Sequence, residues 1–175
     1  MQLRRFFAAL LTTLMLAACS TGNNMEHYND TKPELNLEEF FSGKIKGWGI
    51  VQDRSGKVVR RFDVDIDASW EGDTGTLYEE FEYYDGETQI RIWTLKKNAD
   101  GTYTGTADDI IDEATGTVNG TALNWHYSMD LPVGDKTYRV KFDDWMWQMN
   151  DGILVNRSYI KKFGFMVAEL SLFMQ

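Results

Sequence analysis

From residue 45 to the C-terminus, short runs of β-branched and aromatic residues alternate with turn-forming pairs, and no long crossover interrupts them. The turn signals are Asp53-Arg54-Ser55-Gly56, Asp85-Gly86, Asn98-Ala99-Asp100-Gly101, Asn119-Gly120, Leu131-Pro132-Val133-Gly134-Asp135 and Asn150-Asp151-Gly152. Strands joined by such tight turns pair antiparallel with their sequence neighbours. No stretch after Phe41 carries the helical period over ten residues. The spacing therefore predicts an all-β fold, an antiparallel meander of about 8–10 strands. A meander leaves two unpaired edges, and closing on itself into a barrel removes them. An open two-sheet sandwich is the alternative arrangement.

Individual strands carry readable faces. In residues 58–69, Arg61, Asp63, Asp65 and Asp67 share one face, and Phe62, Val64, Ile66 and Ala68 share the other, as the two-residue period of a strand requires. Asp85-Gly86 is a strong two-residue hairpin signal. As such a turn it pairs Phe81 with Ile90 and Glu80 with Arg91. Met149-Asn150-Asp151-Gly152-Ile153 fits a three-residue loop with Gly152 left-handed. That register sets Trp147 opposite Val155, Trp145 opposite Arg157 and Asp143 opposite Tyr159. The face with Trp145, Trp147, Met149 and Tyr159 is the more aromatic, so it is expected to face the core. Asp144, Met146, Gln148, Asn156 and Ser158 are then expected outside.

The front of the chain reads differently. Arg4 and Arg5 precede an apolar run from Phe6 to Leu16, too short to span a bilayer comfortably. Small residues before a cleavage point mark a signal peptide, and Leu16-Ala17-Ala18-Cys19 ends in the chain's single cysteine. This resembles the bacterial lipobox, whose cysteine carries a diacylglycerol and becomes the mature N-terminus. The resemblance implies a signal peptide over residues 1–18 and lipidation of Cys19. The absence of aspartate after Cys19 then implies the outer membrane, facing the periplasm. Residues 19–35 are polar and read as the lipidated cysteine and a flexible tether, leaving residues 36–175 as one β-barrel domain. Asn36 and Glu39 have the spacing of a capping box for one helical turn.

Removing residues 1–18 leaves 16 basic against 27 acidic residues, a net charge of −11. That balance argues against nucleic acid as a partner, since phosphates demand lysine and arginine surfaces. With one cysteine there is no internal disulfide, and the two histidines, His27 and His126, belong to no metal-ligand pattern. No phosphate-binding glycine loop opens a helix. No cofactor or metal is expected, and no catalytic residue is assigned.

A first-strand tryptophan beside glycine, with an arginine on a late strand, is similar to the lipocalin and wider calycin pattern. The resemblance implies that Trp48 packs at the closed end of the barrel under Arg157. Asp143 is expected to pair with Arg157 at that end. The series FDV, DGE, RIW, YTGTADD, LPV, DDWMW, LVNR and KFG, from Phe41 to Phe173, resembles a family of proteobacterial lipoproteins, domain of unknown function 3833. That family has no established activity to carry over, so the resemblance implies location and fold only.

Three functional readings follow. The barrel binds a lipid-like or other apolar ligand along Trp145, Trp147, Met149, Tyr159 and Arg157. Alternatively its core is filled and its acidic surface meets an envelope partner. The third reading is an enzyme on lipid substrates, with Arg157, Asp143, His126 and Tyr159 as candidates. It requires His126 beside an acid inside a pocket.

Overall fold

The computed structural model describes residues 23–175. Ten strands follow in chain order: β1 (Gly43–Asp53), β2 (Val58–Glu71), β3 (Thr74–Tyr83), β4 (Thr88–Lys97), β5 (Tyr103–Thr106), β6 (Ile110–Asn119), β7 (Ala122–Val133), β8 (Lys136–Gln148), β9 (Leu154–Lys162) and β10 (Phe165–Met174). Each pairs antiparallel with the next, and β10 returns to β1, with Trp48 opposite Phe173 and Gly49 opposite Leu172. The barrel is closed, so no sheet edge remains to recruit another strand. The expected fold class holds, and the open sandwich does not.

Inside, Phe62, Val64, Ile66, Leu77, Trp93, Leu95, Leu123, Trp125, Leu154 and Met174 form one buried cluster. A second cluster, of Met129, Val140, Phe142 and Ile160, fills the end bearing the β7–β8 and β9–β10 turns. The outer wall is charged, with Lys44 on Asp67 and Lys46 on Asp65. An apolar inside and charged outside is the reverse of a bilayer-spanning barrel. No helix among the described residues is long and apolar enough to cross a membrane.

The end opposite the second cluster is stoppered by a single helical turn, α1 (Leu37–Phe40). Asn36 caps it, its Oδ1 accepting from the Glu39 N–H at 3.2 Å. Leu37, 1 % exposed, enters the barrel mouth, and Glu38 accepts hydrogen bonds from Lys97 and the Tyr103 hydroxyl.

Two sequence expectations are corrected. The β3–β4 loop holds three residues, not two: Tyr83 N–H donates to Glu87 O at 2.9 Å, and Gly86 takes φ +92°. The register moves by one, pairing Phe81 with Gln89, Glu80 with Ile90 and Glu79 with Arg91. A one-residue slip turns a strand over, so Arg91 points inward with Trp93 and Leu95, while Ile90 and Ile92 are exposed.

Part of the stretch expected as a tether, residues 19–35, is held on the barrel. Residues 25–28 form a short 3-10 turn, and the following stretch is docked on the outer wall. Leu35 N–H donates to Gly120 O at 2.8 Å, Thr121 N–H to Thr31 Oγ1 at 3.0 Å, and Asn119 Nδ2 to Met25 O at 2.7 Å. Cys19 and the expected signal peptide, residues 1–18, lie outside the described residues.

Candidate functional site

The register expected for the β8–β9 hairpin is the observed one, with Trp147 opposite Val155, Trp145 opposite Arg157 and Asp143 opposite Tyr159. The face is reversed. Asp144, Met146, Asn156 and Ser158 line the interior, and Trp145, Trp147, Met149, Arg157 and Tyr159 do not. Trp145 is nevertheless buried, because the Tyr28 ring covers it from outside at a centroid distance of 5.9 Å. Met149 is exposed at the α1 end of the barrel.

The closing group expected from the calycin likeness is not assembled. Trp48 points outward and is 47 % exposed. The flanking glycines occupy the inner positions instead. A Cβ on Gly49 would stand 2.1 Å from the Phe62 ring, and one on Gly47 would stand 2.7 Å from Val64. Gly-Trp-Gly therefore makes room for Phe62 and Val64 inside. Arg157 pairs with Glu169 at 3.2 Å, away from Asp143.

Asp143 holds an outer-wall network. It accepts from Lys161 Nζ at 2.6 Å, Asn124 Nδ2 at 3.0 Å and Trp145 Nε1 at 3.1 Å, with His126 Nδ1 at 3.6 Å. Burial works to raise its carboxyl, but the hydrogen bonds from Lys161 and Asn124 outweigh this and hold it below its ordinary range. His126 is half exposed in a surface groove, not inside the barrel as the enzyme reading requires.

The interior holds a different group. A cavity of about 120 Å³ is lined on one side by Leu37, Leu77, Trp93, Leu95, Leu123 and Trp125. Glu79, Arg91, Tyr127, Asp144, Asn156 and Ser158 line the other. Arg91 donates to Asp109 through Nε at 2.9 Å and Nη2 at 2.6 Å. Asp109 belongs to the β5–β6 connection, so this pair ties that loop to the barrel wall. Asn156 Nδ2 donates to the Trp145 carbonyl at 3.1 Å, and Ser158 donates to Asn156 Oδ1 at 3.3 Å.

Two carboxyls in this group lack a dedicated cation. Asp144 is 5 % exposed, and its Oδ1 has no hydrogen-bond partner. Burial pushes it up to about 7, moderated by the nearby Ser158 hydroxyl and the Arg91 charge. Glu79 is partly buried and borders the cavity. Burial pushes it up to about 7 as well, with Arg91 opposing. Tyr127 is raised by burial, so its hydroxyl stays protonated and able to donate. Arg91 is partly buried, which works against its charge, but the Glu79 and Asp109 carboxylates beside it hold it firmly charged. Near neutrality the group thus offers hydroxyl and carboxyl donors, carboxylate acceptors and one neutralised guanidinium. Among the described residues no cluster of histidine, cysteine and carboxylate side chains could hold a metal.

The sequence pattern carries a signal for this group that adjacent acid pairs do not reveal. Asp144 lies on the stripe Val140, Phe142, Met146, and Arg91 on the stripe Trp93, Leu95. A charge set into an apolar stripe of a strand marks a charge that is buried when that stripe is the inner one.

Residues 13–175 match the family described as Protein of unknown function (DUF3833). The chain belongs to this family. No curated protein and no solved structure gives a significant match. Membership in DUF3833 brings no activity with it.

Proposed function

We propose that this DUF3833 protein is a bacterial envelope lipoprotein, held in the outer membrane by a lipid on Cys19 and facing the periplasm. Its barrel binds a small ligand with an apolar body and a hydrogen-bonding head. The anchor is supported by the positive, apolar and small-residue order of residues 1–19. The observation that carries the ligand reading is Asp144, a buried carboxyl with an unpartnered oxygen on the polar side of a cavity whose other side is aromatic and aliphatic. Buried polar atoms without partners are rare and call for a reason. A group supplied by a ligand would provide one.

Cavity size limits the occupant. About 150 Å³ accommodates benzene, and pockets for drug-sized molecules run from about 300 Å³ upward. At about 120 Å³ the interior suits a group of about one ring, not a whole acyl chain. The second reading, a filled barrel that acts through its surface, is favoured by the same small volume. It is also favoured by the ring contacts Trp93–Tyr127 at 5.4 Å and Tyr127–Phe142 at 4.6 Å.

Native mass spectrometry of the protein released gently from membranes separates the two readings. A stoichiometric small adduct is expected, retained by Trp147→Ala on the outer wall and lost in Leu170→Trp, which fills the cavity. The absence of any adduct, both as released and after incubation with a total small-molecule extract of the same cells, would reject the ligand reading and leave the filled barrel. The same spectrum weighs Cys19: a diacylglycerol increment is expected, and an unmodified thiol would reject the anchor.

A further inference from the structure

The path of the chain up the outer wall determines which end of the barrel lies nearest Cys19. Leu35 is bonded to Gly120 at the α1 end. Tyr28 lies further along, on Trp145. Asn23 lies further still, in a groove with Asp143, Tyr159 and Lys161. The backbone of residues 25–31 stays beside the β6–β7 turn, where Asn119 Nδ2 donates to Met25 O, and beyond Met25 the segment turns up the wall at Asn23, toward the β9–β10 turn. Lys161 is two residues, about 7 Å along the strand, from Phe163. Three residues separate Asn23 from Cys19, and the four steps of chain between them span at most about 14 Å.

The turn reached in this way is apolar and bare. Lys162 pairs with Phe165 across Phe163 and Gly164, and both turn residues have positive φ. Phe163 is 89 % exposed, Phe165 72 % and Met166 41 %. Val133, beside the neighbouring β7–β8 turn, is 54 % exposed. Cations border them: Lys162 lies 3.7 Å from the centroid of the Tyr138 ring, and neither Lys136 nor Lys162 has a carboxylate partner among the described residues. At the other end the β8–β9 turn is Asn150-Asp151-Gly152, with Met149 beside it.

We propose that the β9–β10 turn and the adjacent β7–β8 turn are a second membrane contact, with Phe163, Phe165 and Val133 inserted at the boundary of head groups and acyl chains. The proposal rests on the reading of Cys19 as the lipid anchor. A lipid attached within about 14 Å of Asn23 leaves the barrel no room to stand off from the bilayer. The surface brought against that bilayer is the one with bare aromatic tips and unpaired lysines, the composition that suits an interface with anionic head groups. Attachment at two points sets the barrel upright, with the α1 stopper pointing away from the membrane.

The test uses the full lipidated chain in vesicles of phosphatidylethanolamine and phosphatidylglycerol. The lipid consumes the Cys19 thiol, so Phe163→Cys and, in a separate protein, Met149→Cys each carry one nitroxide label. Collision with oxygen, which concentrates in the bilayer, is compared with collision with a water-soluble nickel chelate. The label at position 163 is expected to lose nickel accessibility several-fold relative to the label at position 149 and to gain oxygen accessibility. Phe165→Cys is expected to repeat the result. Equal nickel accessibility at 163 and 149, on protein whose mass shows the lipid, overturns the membrane contact and leaves the anchor standing. A mass with unmodified Cys19 overturns both.

Discussion

Replacing Asp144 by asparagine tests whether the interior carboxyl governs the pH dependence of folding. In the unfolded chain an aspartate titrates near 3.9, whereas burial holds Asp144 at about 7 in the barrel. The folded state therefore keeps a proton that the unfolded state releases, and stability declines as pH rises from about 4 through 7. A gap of about three pH units, at about 1.4 kcal/mol each, is about 4 kcal/mol when complete. At pH 5 about 1.5 kcal/mol of that loss is present, and at pH 8 nearly all of it, so about 2.5 kcal/mol is lost between them. The amide of Asp144→Asn keeps the shape without the charge. Urea midpoints of residues 20–175 at pH 5, 6, 7 and 8 should show the variant gaining about 2.5 kcal/mol on the native chain across that range. Parallel profiles within about 0.5 kcal/mol would refute the argument. Glu79→Gln should remove a second, similar portion, since burial also holds that carboxyl at about 7.

Gly49→Ala places a methyl 2.1 Å from the Phe62 ring and should destabilise by about 1–3 kcal/mol, read as a lower urea midpoint. Trp48→Ala should cost less than about 1.5 kcal/mol because the ring is half exposed, against about 3–5 kcal/mol for the buried Trp125→Ala. Equal losses would restore Trp48 to the core. Trp145→Ala removes the ring under Tyr28, so the amides of residues 25–31 should exchange faster with deuterium while those of β3 and β4 stay protected.

Turn chemistry makes much of the fold legible. Asn150-Asp151-Gly152 sets the β8–β9 register correctly, and the stripe Phe62, Val64, Ile66, Ala68 marks the inner face of β2. Asp85-Gly86 misleads because it serves a two-residue or a three-residue loop equally well, and only the fit of Tyr83 against Glu87 selects the second. The inner face of β8 eludes the sequence for another reason. Both of its stripes are apolar enough to be core, and the choice between them depends on Tyr28, more than a hundred residues away, covering the outer one. Alternation within a strand cannot register such a distant cover. Hence alternation alone places Asp144 on the surface and Trp145 inside the barrel, the reverse of what the fold does.

Barrel closure has a consequence for how the chain can be made. Every strand except one is bonded to the neighbour that precedes it, so hairpins can form as residues emerge during synthesis. The exception is β1, whose second partner, β10, holds Phe173 against Trp48 across more than 120 residues. Until those last residues arrive, β1 and the newest strand are both open edges, ready to pair with another chain. A ribosome that stops anywhere short of residue 165 would therefore release an adhesive sheet, not a smaller barrel.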